Sequence, residues 1–371
     1  MTFAKRVILL TIPLFFLDAR SQQCTNPEWF KGYWERNPLQ INRSVTRDSL
    51  WDPNRRWKWR LHSESRSCKV DDLVTQAILS GSDTPDWFPS TIQGQKHFHI
   101  VFVGDSLERN TVRFFCEIAA SHGFHGSFLP SPPPKKTKKK KKKKKRQPVI
   151  QPKPSQNTTG TSTFAQCTNK LFTLSWFQIF SLSETLIPRG TQVVAKSDPR
   201  VKRNEAAAHT LFRLEHFLPE DVVGFDEAEA IVIASNLWDL TRPVADTDYV
   251  TQEQILSYKG AVSNVTTLLR NAHPKKKLVW MTKPYVSTND GVRRSGKELL
   301  TRTRRSQAAL NSALCAAVLE KNDKETEVFD WCSMLVGFSH LAADGRHYPP
   351  PPSLAMLNLL LNVLRHKFLQ G

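Results

Sequence analysis

An α/β fold is predicted, with a parallel sheet covered by helices on both faces to give three layers. Three observations predict it. From residue 97 onward, short runs of β-branched and aromatic residues alternate with longer stretches of helical period, the pattern of strands laid side by side with crossover helices packed on them. Of the 371 residues 39% are hydrophobic, including 10 Trp and 21 Phe, and only 23% are charged, which excludes wholesale disorder. The length suits one α/β domain of roughly 200–300 residues plus appendages.

The elements follow in order. Lys5 and Arg6 precede a largely apolar run at residues 7–17. As a helix it spans about 16 Å at ~1.5 Å per residue, short of a bilayer core of ~30 Å, so residues 1–21 read as a signal peptide. The chain is expected in the secretory pathway, secreted or in the Golgi or ER lumen, with an uncleaved type II signal anchor as the alternative. Residues 22–95 are rich in Trp, Arg, Asn and Pro with weak periodicity, and read as an irregular Trp-rich cap held by aromatics and by Cys24 and Cys68.

The domain proper is assigned to residues 96–371. HFHIVFV (97–103) is a strand and 107–120 a helix; LFTLSWFQIF (171–180) and AIVIAS (230–235) are strands. A helix at 252–270 carries Ile255, Tyr258, Val262, Val265 and Leu269 on one stripe, spaced by three and four as an amphipathic helix requires. KLVWMT (277–282) is a strand, 306–320 a helix, EVFDW (327–331) a short strand, and 353–368 an apolar closing helix. Residues 128–165, Pro-flanked and without apolar period, read as a disordered low-complexity basic insertion.

Charge narrows the partners. The net charge of +19 includes eleven cations in KKTKKKKKKKKR at 135–146; without them 42 cations face 34 anions, leaving +8. With the charge concentrated in one run and a secretory leader in front, a nucleic-acid partner is not expected. The run reads as a solvated low-complexity expansion, with attachment to acidic polysaccharide or a membrane surface as the alternative. Six cysteines (Cys24, Cys68, Cys116, Cys167, Cys315, Cys332) are free to pair in an oxidising compartment, and none lies in a CxxC motif, which removes the usual support for structural zinc or a redox motif. Sequons at Asn42, Asn157 and Asn264 agree with secretion. No phosphate loop, dinucleotide fingerprint or metal cage is present, so no cofactor or metal is implied.

Chemistry concentrates in three places. VFVGDSLERN ends the first strand of the domain with Gly104, Asp105 and Ser106, at the edge where open α/β sheets place their sites; by itself this is also an ordinary helix cap. DGRH, from Asp344 to His347, precedes the last helix. A hydroxyl becomes a useful nucleophile when a base takes its proton and a carboxylate fixes that base. Ser106, His347 and Asp344 supply those three groups, and their order along the chain lets them meet at one sheet edge.

Gly104-Asp105-Ser106 with Arg109 and Asn110, together with DGRHYP at 344–349, resembles the first and last blocks of SGNH/GDSL-type esterases. It most resembles the PC-esterase branch, which includes the trichome-birefringence-like polysaccharide O-acetyltransferases. LSWFQIF (174–180), SNLWDLTR (235–242) and LVWMTKPY (278–285) are similar to that branch in order and character. The resemblance implies an SGNH-like α/β/α fold over residues 97–368 minus the insertion, with Ser106 as nucleophile and Asp344 and His347 completing the triad.

The oxyanion hole is the third place, and there the chain departs from the family pattern. The Ser106 backbone N–H is one donor; Asn stands two residues before Trp238, so Asn236 or Ser235 is the second, or Asn236 merely closes a turn. The family's glycine donor has no clear position. Arg109, Arg242 and Lys283 are candidates for binding an acidic glycan. The function expected is acyl-ester chemistry on a glycan or similar hydroxylated substrate, as O-acetyl esterase or O-acetyltransferase. A catalytically inactive secreted protein that binds acidic glycans or membranes is the alternative.

Overall fold

A computed structural model describes residues 32–35, 58–61, 70–79, 97–127, 163–182, 198, 200, 206, 209–235, 237–240, 250–285, 304–336, 342 and 347–370. The leader, the lysine run, Asn42 and Asn157, and the expected Cys24 and Cys68 crosslink all lie outside these residues. Among the described residues no helix is long and apolar enough to cross a membrane.

Seven strands form one sheet in the order β4-β5-β6-β3-β7-β8-β9. They are β3 (Phe98–Gly104), β4 (His125–Gly126), β5 (Phe164–Thr168), β6 (Phe172–Gln178), β7 (Ala230–Ile233), β8 (Lys277–Met281) and β9 (Thr326–Phe329). The pairs β6/β3, β3/β7, β7/β8 and β8/β9 are parallel, as expected. The sheet is nevertheless mixed, because β5 runs antiparallel to both β6 and β4. The turn between β5 and β6 explains the reversal: the Asn169 side chain accepts from the N–H groups of Leu171 and Phe172 at 2.8 and 2.7 Å, closing a tight connection that only an antiparallel pair permits. Residues 164 and 165 therefore belong to a strand and not to the expected insertion.

All seven residues of β3 are buried, and its side chains alternate between two cores. Phe98, Ile100 and Phe102 join one with α1 (Leu73–Leu79), α2 (Ser106–Ala119) and α5 (Pro350–Gln370); Val101 and Val103 join the other with α3 (Gln252–Ala272) and α4 (Arg304–Lys321). The result is the three-layer α/β/α arrangement. The helix α1 comes from the Trp-rich N-terminal region yet packs as part of the first core, with Leu73, Val74 and Ala77 fully buried. Asn358 of α5 accepts from Val74 N–H, Asn362 accepts from Asp71 N–H, and Arg365 pairs with Asp71, so α5 caps the start of α1. Farther upstream, β1 (Gly32–Glu35) and β2 (Lys58–Leu61) form an antiparallel pair with Trp34 opposite Trp59, a short ladder in what reads as irregular sequence.

A disulfide joins Cys116 of α2 to Cys167 of β5, with Cα atoms 5.8 Å apart. Cys315 is disulfide-bonded as well. Cys332 is a buried free thiol, pushed up to about 12 by its burial and by Asp330 beside it.

Candidate active site

The turn after β3 is built by its neighbours. Asp105 caps α2: its side chain accepts from Leu107 N–H at 2.9 Å, and Glu108 reaches back to accept from Asp105 N–H at 2.9 Å, a reciprocal capping box. Gly104 is required because a Cβ there would lie 2.7 Å from the Glu108 carboxyl carbon. The buried indole of Trp176, on β6, donates to the carbonyls of both Gly104 and Asp105, at 3.2 and 3.1 Å. Ser106 follows as the first residue of α2 and is half-buried. Its N–H is among the first four of the helix, which have no intrahelical acceptor.

His347 arrives from the segment before α5. The Ser106 Oγ lies 2.6 Å from His347 Nε2, across 241 residues of sequence, leaving Nδ1 as the nitrogen for a carboxylate partner. The next residue anchors the imidazole: Tyr348 is buried and donates from its hydroxyl to the Tyr285 carbonyl at 2.9 Å, and its ring packs beside Trp331. A serine hydroxyl in hydrogen-bond contact with an imidazole at the C-terminal edge of the parallel strands is the minimum needed to generate an alkoxide-like nucleophile at neutral pH. Asp344 lies outside the described residues, as do Asn236 and Arg242.

The other expected site residues occupy different places. Ser235, two residues past the end of β7, is almost fully buried, and its hydroxyl donates to Asp239 at 2.7 Å. A hydroxyl has one proton, so this side chain is not a free oxyanion donor. Asp239 also accepts from the Ser181 hydroxyl at 2.7 Å and from Leu182 N–H at 2.9 Å, which ties the loop after β6 to the loop after β7. Arg109 is half-buried, with its guanidinium 5.8 Å from the Trp176 ring centre; burial lowers its pKa. Lys283 is not the solvent-facing cation expected for a glycan. It has no exposed surface, and its ammonium sits 2.5 Å from Glu108 and 3.2 Å from Asp105. Asn264 is exposed on α3; Thr266 of its sequon is buried, donating to the Val262 carbonyl and accepting from the Trp280 indole.

Sequence reasoning missed Trp176, Glu108, Asp239 and Tyr348 as builders of the site. The capping-box spacing of Asp105 and Glu108 is a local signal for Glu108, and Trp176, Asp239 and Tyr348 lie inside the blocks that carry the family resemblance without a role of their own being legible there. Among the described residues no cluster of three or more His, Cys, Asp or Glu is arranged to hold a metal.

No protein-family model matches the chain, and no curated protein matches it. Among solved structures it is similar to a peptidoglycan O-acetylesterase, at 11% identity and a TM-score of 0.37, covering 80% of this chain and 95% of that one. It is also similar to a carbohydrate esterase family 3 protein from Talaromyces cellulolyticus (12% identity, TM-score 0.34, covering 74% of this chain and 99% of that one). A third is a catalytic mutant of an acetylxylan esterase from Geobacillus stearothermophilus (13% identity, TM-score 0.32, covering 73% and 95%).

Proposed function

We propose that this chain is an SGNH-type serine enzyme of the secretory pathway that cleaves or transfers acyl esters, acetyl esters of a glycan foremost. The observation that carries the reading is the 2.6 Å contact between Ser106 Oγ and His347 Nε2 at the end of β3. The N-terminal leader pattern and the Cys116–Cys167 disulfide support the compartment.

His347 takes the Ser106 hydroxyl proton on Nε2 as Oγ bonds to the acyl carbon, and the carbonyl π pair moves onto oxygen. The Ser106 N–H, at the positive end of α2, faces that developing charge; one such donor contributes on the order of 3 kcal/mol. Asp344 holds Nδ1–H and stabilises the imidazolium. Collapse of the tetrahedral intermediate breaks the bond to the alcohol oxygen, which leaves with the proton from Nε2. Water or a sugar hydroxyl then repeats the sequence in reverse and frees Ser106. Water as acceptor makes the protein an esterase and a sugar hydroxyl makes it an O-acetyltransferase; the same three residues serve both.

Intact-protein mass spectrometry after brief exposure to an activated acetyl ester tests the reading. One acetyl adduct in the native chain, absent from Ser106→Ala, is expected. Equal labelling of the two proteins, or no adduct with any of a panel of acyl donors, refutes it in favour of a binding protein.

A further inference from the structure

We propose that Lys283 is a positioning residue for Ser106, holding the nucleophile turn through the two carboxylates that bracket the serine; this rests on the serine-enzyme reading above. Lys283 follows β8, on the far side of β7 from the turn it supports. Its backbone is fixed from both sides by one amide: Asn311 of α4 accepts from Lys283 N–H at 3.1 Å and donates to the Lys283 carbonyl at 2.9 Å. A side chain that is ordinarily flexible thus starts from a pinned root and ends without solvent.

Its ammonium meets two oxygens already in use. Glu108 Oε2 accepts both from Lys283, at 2.5 Å, and from Asp105 N–H; Asp105 Oδ1 lies 3.2 Å from Lys283 and accepts from Leu107 N–H. One cation therefore bridges the residue before Ser106 and the residue two after it. Glu108 has no exposed surface, and full burial pushes its carboxyl above the usual carboxylate range against the pull of Lys283. Its second oxygen, Oε1, has no hydrogen-bond partner among the described residues. The bonds from Lys283 and from the Asp105 N–H both fall on Oε2.

Without Lys283, two carboxylates face each other in a buried space, and one must take a proton or move apart. Either response alters the capping box that fixes the first turn of α2. Ser106 is the first residue of that turn and His347 is anchored elsewhere, through Tyr348, so the Oγ to Nε2 contact is what changes. A lysine present only to fill space would be replaceable by a well-packed apolar side chain together with neutralisation of Glu108.

The test measures phosphonylation of Ser106 by a fluorophosphonate, as kinact and KI, in the full chain and in Lys283→Met, Glu108→Gln and the double variant. Each protein is assayed well below its melting midpoint. In Lys283→Met, kinact is expected to fall about 100-fold, the scale of a small misplacement of reacting groups, with KI unchanged. The double variant buries no unpaired glutamate, so its melting midpoint is expected near wild type while its kinact stays at least about 10-fold down. If Lys283→Met does not fold, the double variant alone decides. A folded double variant with wild-type kinact overturns the proposal and leaves the serine-enzyme reading intact. A wild-type chain that is never labelled at Ser106 overturns both.

Discussion

Ser106 Oγ and His347 Nε2 stand 2.6 Å apart, although one residue opens α2 and the other precedes α5. The contact depends on two separate anchors, the Trp176 and Glu108 bonds to the turn and the Tyr348 bond to Tyr285.

Replacing His347 with Gln keeps a polar side chain and removes the base. Hydrolysis of an activated acetyl ester is expected to fall by about 10⁶-fold, the scale for losing the base of a serine triad, with an unchanged circular dichroism spectrum. A loss under tenfold would show that Ser106 is not activated by this imidazole.

Trp176→Phe removes the indole N–H and keeps most of the ring. The two carbonyls retain backbone donors, Ile179 N–H on Gly104 and Arg109 N–H on Asp105. The stability cost is therefore expected at about 1 kcal/mol and not the larger cost of an orphaned group. Urea unfolding measures it, and kcat is expected to drop more than KM rises.

The crosslink between Cys116 and Cys167 spans a sequence separation of 51, and constraint of the unfolded chain by such a loop is worth about 4 kcal/mol. Cys116→Ser with Cys167→Ser is expected to lower the urea-extrapolated stability by that order. An unchanged midpoint would mean the ends are already held by the β3/β6 pairing in the unfolded ensemble.

The other end of β3 carries a pH signature. His99 is buried, with its ring against the Ser175 hydroxyl at 2.8 Å and the Gly224 carbonyl at 3.0 Å, and desolvation lowers it to about 4. Glu229 accepts from His99 N–H, and desolvation raises it to about 7. A histidine held neutral contributes stability above its unfolded pKa, and loses it as pH falls through the folded value. A carboxyl held protonated contributes below its unfolded pKa and loses stability as pH rises through the folded value. Between about pH 4.5 and 6.5 the two slopes oppose each other, each at most about 1.4 kcal/mol per pH unit. Glu229→Gln is therefore expected to make stability climb more steeply with pH in that window than in wild type, as followed by urea midpoints. Parallel curves for the two proteins would contradict the assignment.

Legibility of the fold followed burial. β3, β7 and β8 are apolar on both faces, and their runs stand out in the sequence within a residue or two of their ends. β5 does not stand out in the sequence because only Ala165 and Cys167 are buried in it, Gln166 and Thr168 being partly exposed, and because it abuts a low-complexity stretch. In the site, Ser106 and His347 were legible from short blocks at the right chain positions. Glu108 and Lys283 were not, being 175 residues apart; a lysine at a strand end reads as surface until the fold seals it in. The bond from Ser235 to Asp239 is not legible in the sequence, because Asp239 lies in the following turn and periodicity does not report on turn side chains.

The Cys116–Cys167 bond also encloses the whole lysine run between its two ends. Any trypsin-like cut at residues 135–146 yields two polypeptides that stay covalently joined and still contribute neighbouring strands, β3 from one and β6 from the other, to a single sheet. Such a clipped molecule migrates as one species until reductant is added, and its Ser106 and His347, now on different polypeptides, remain held by the same fold.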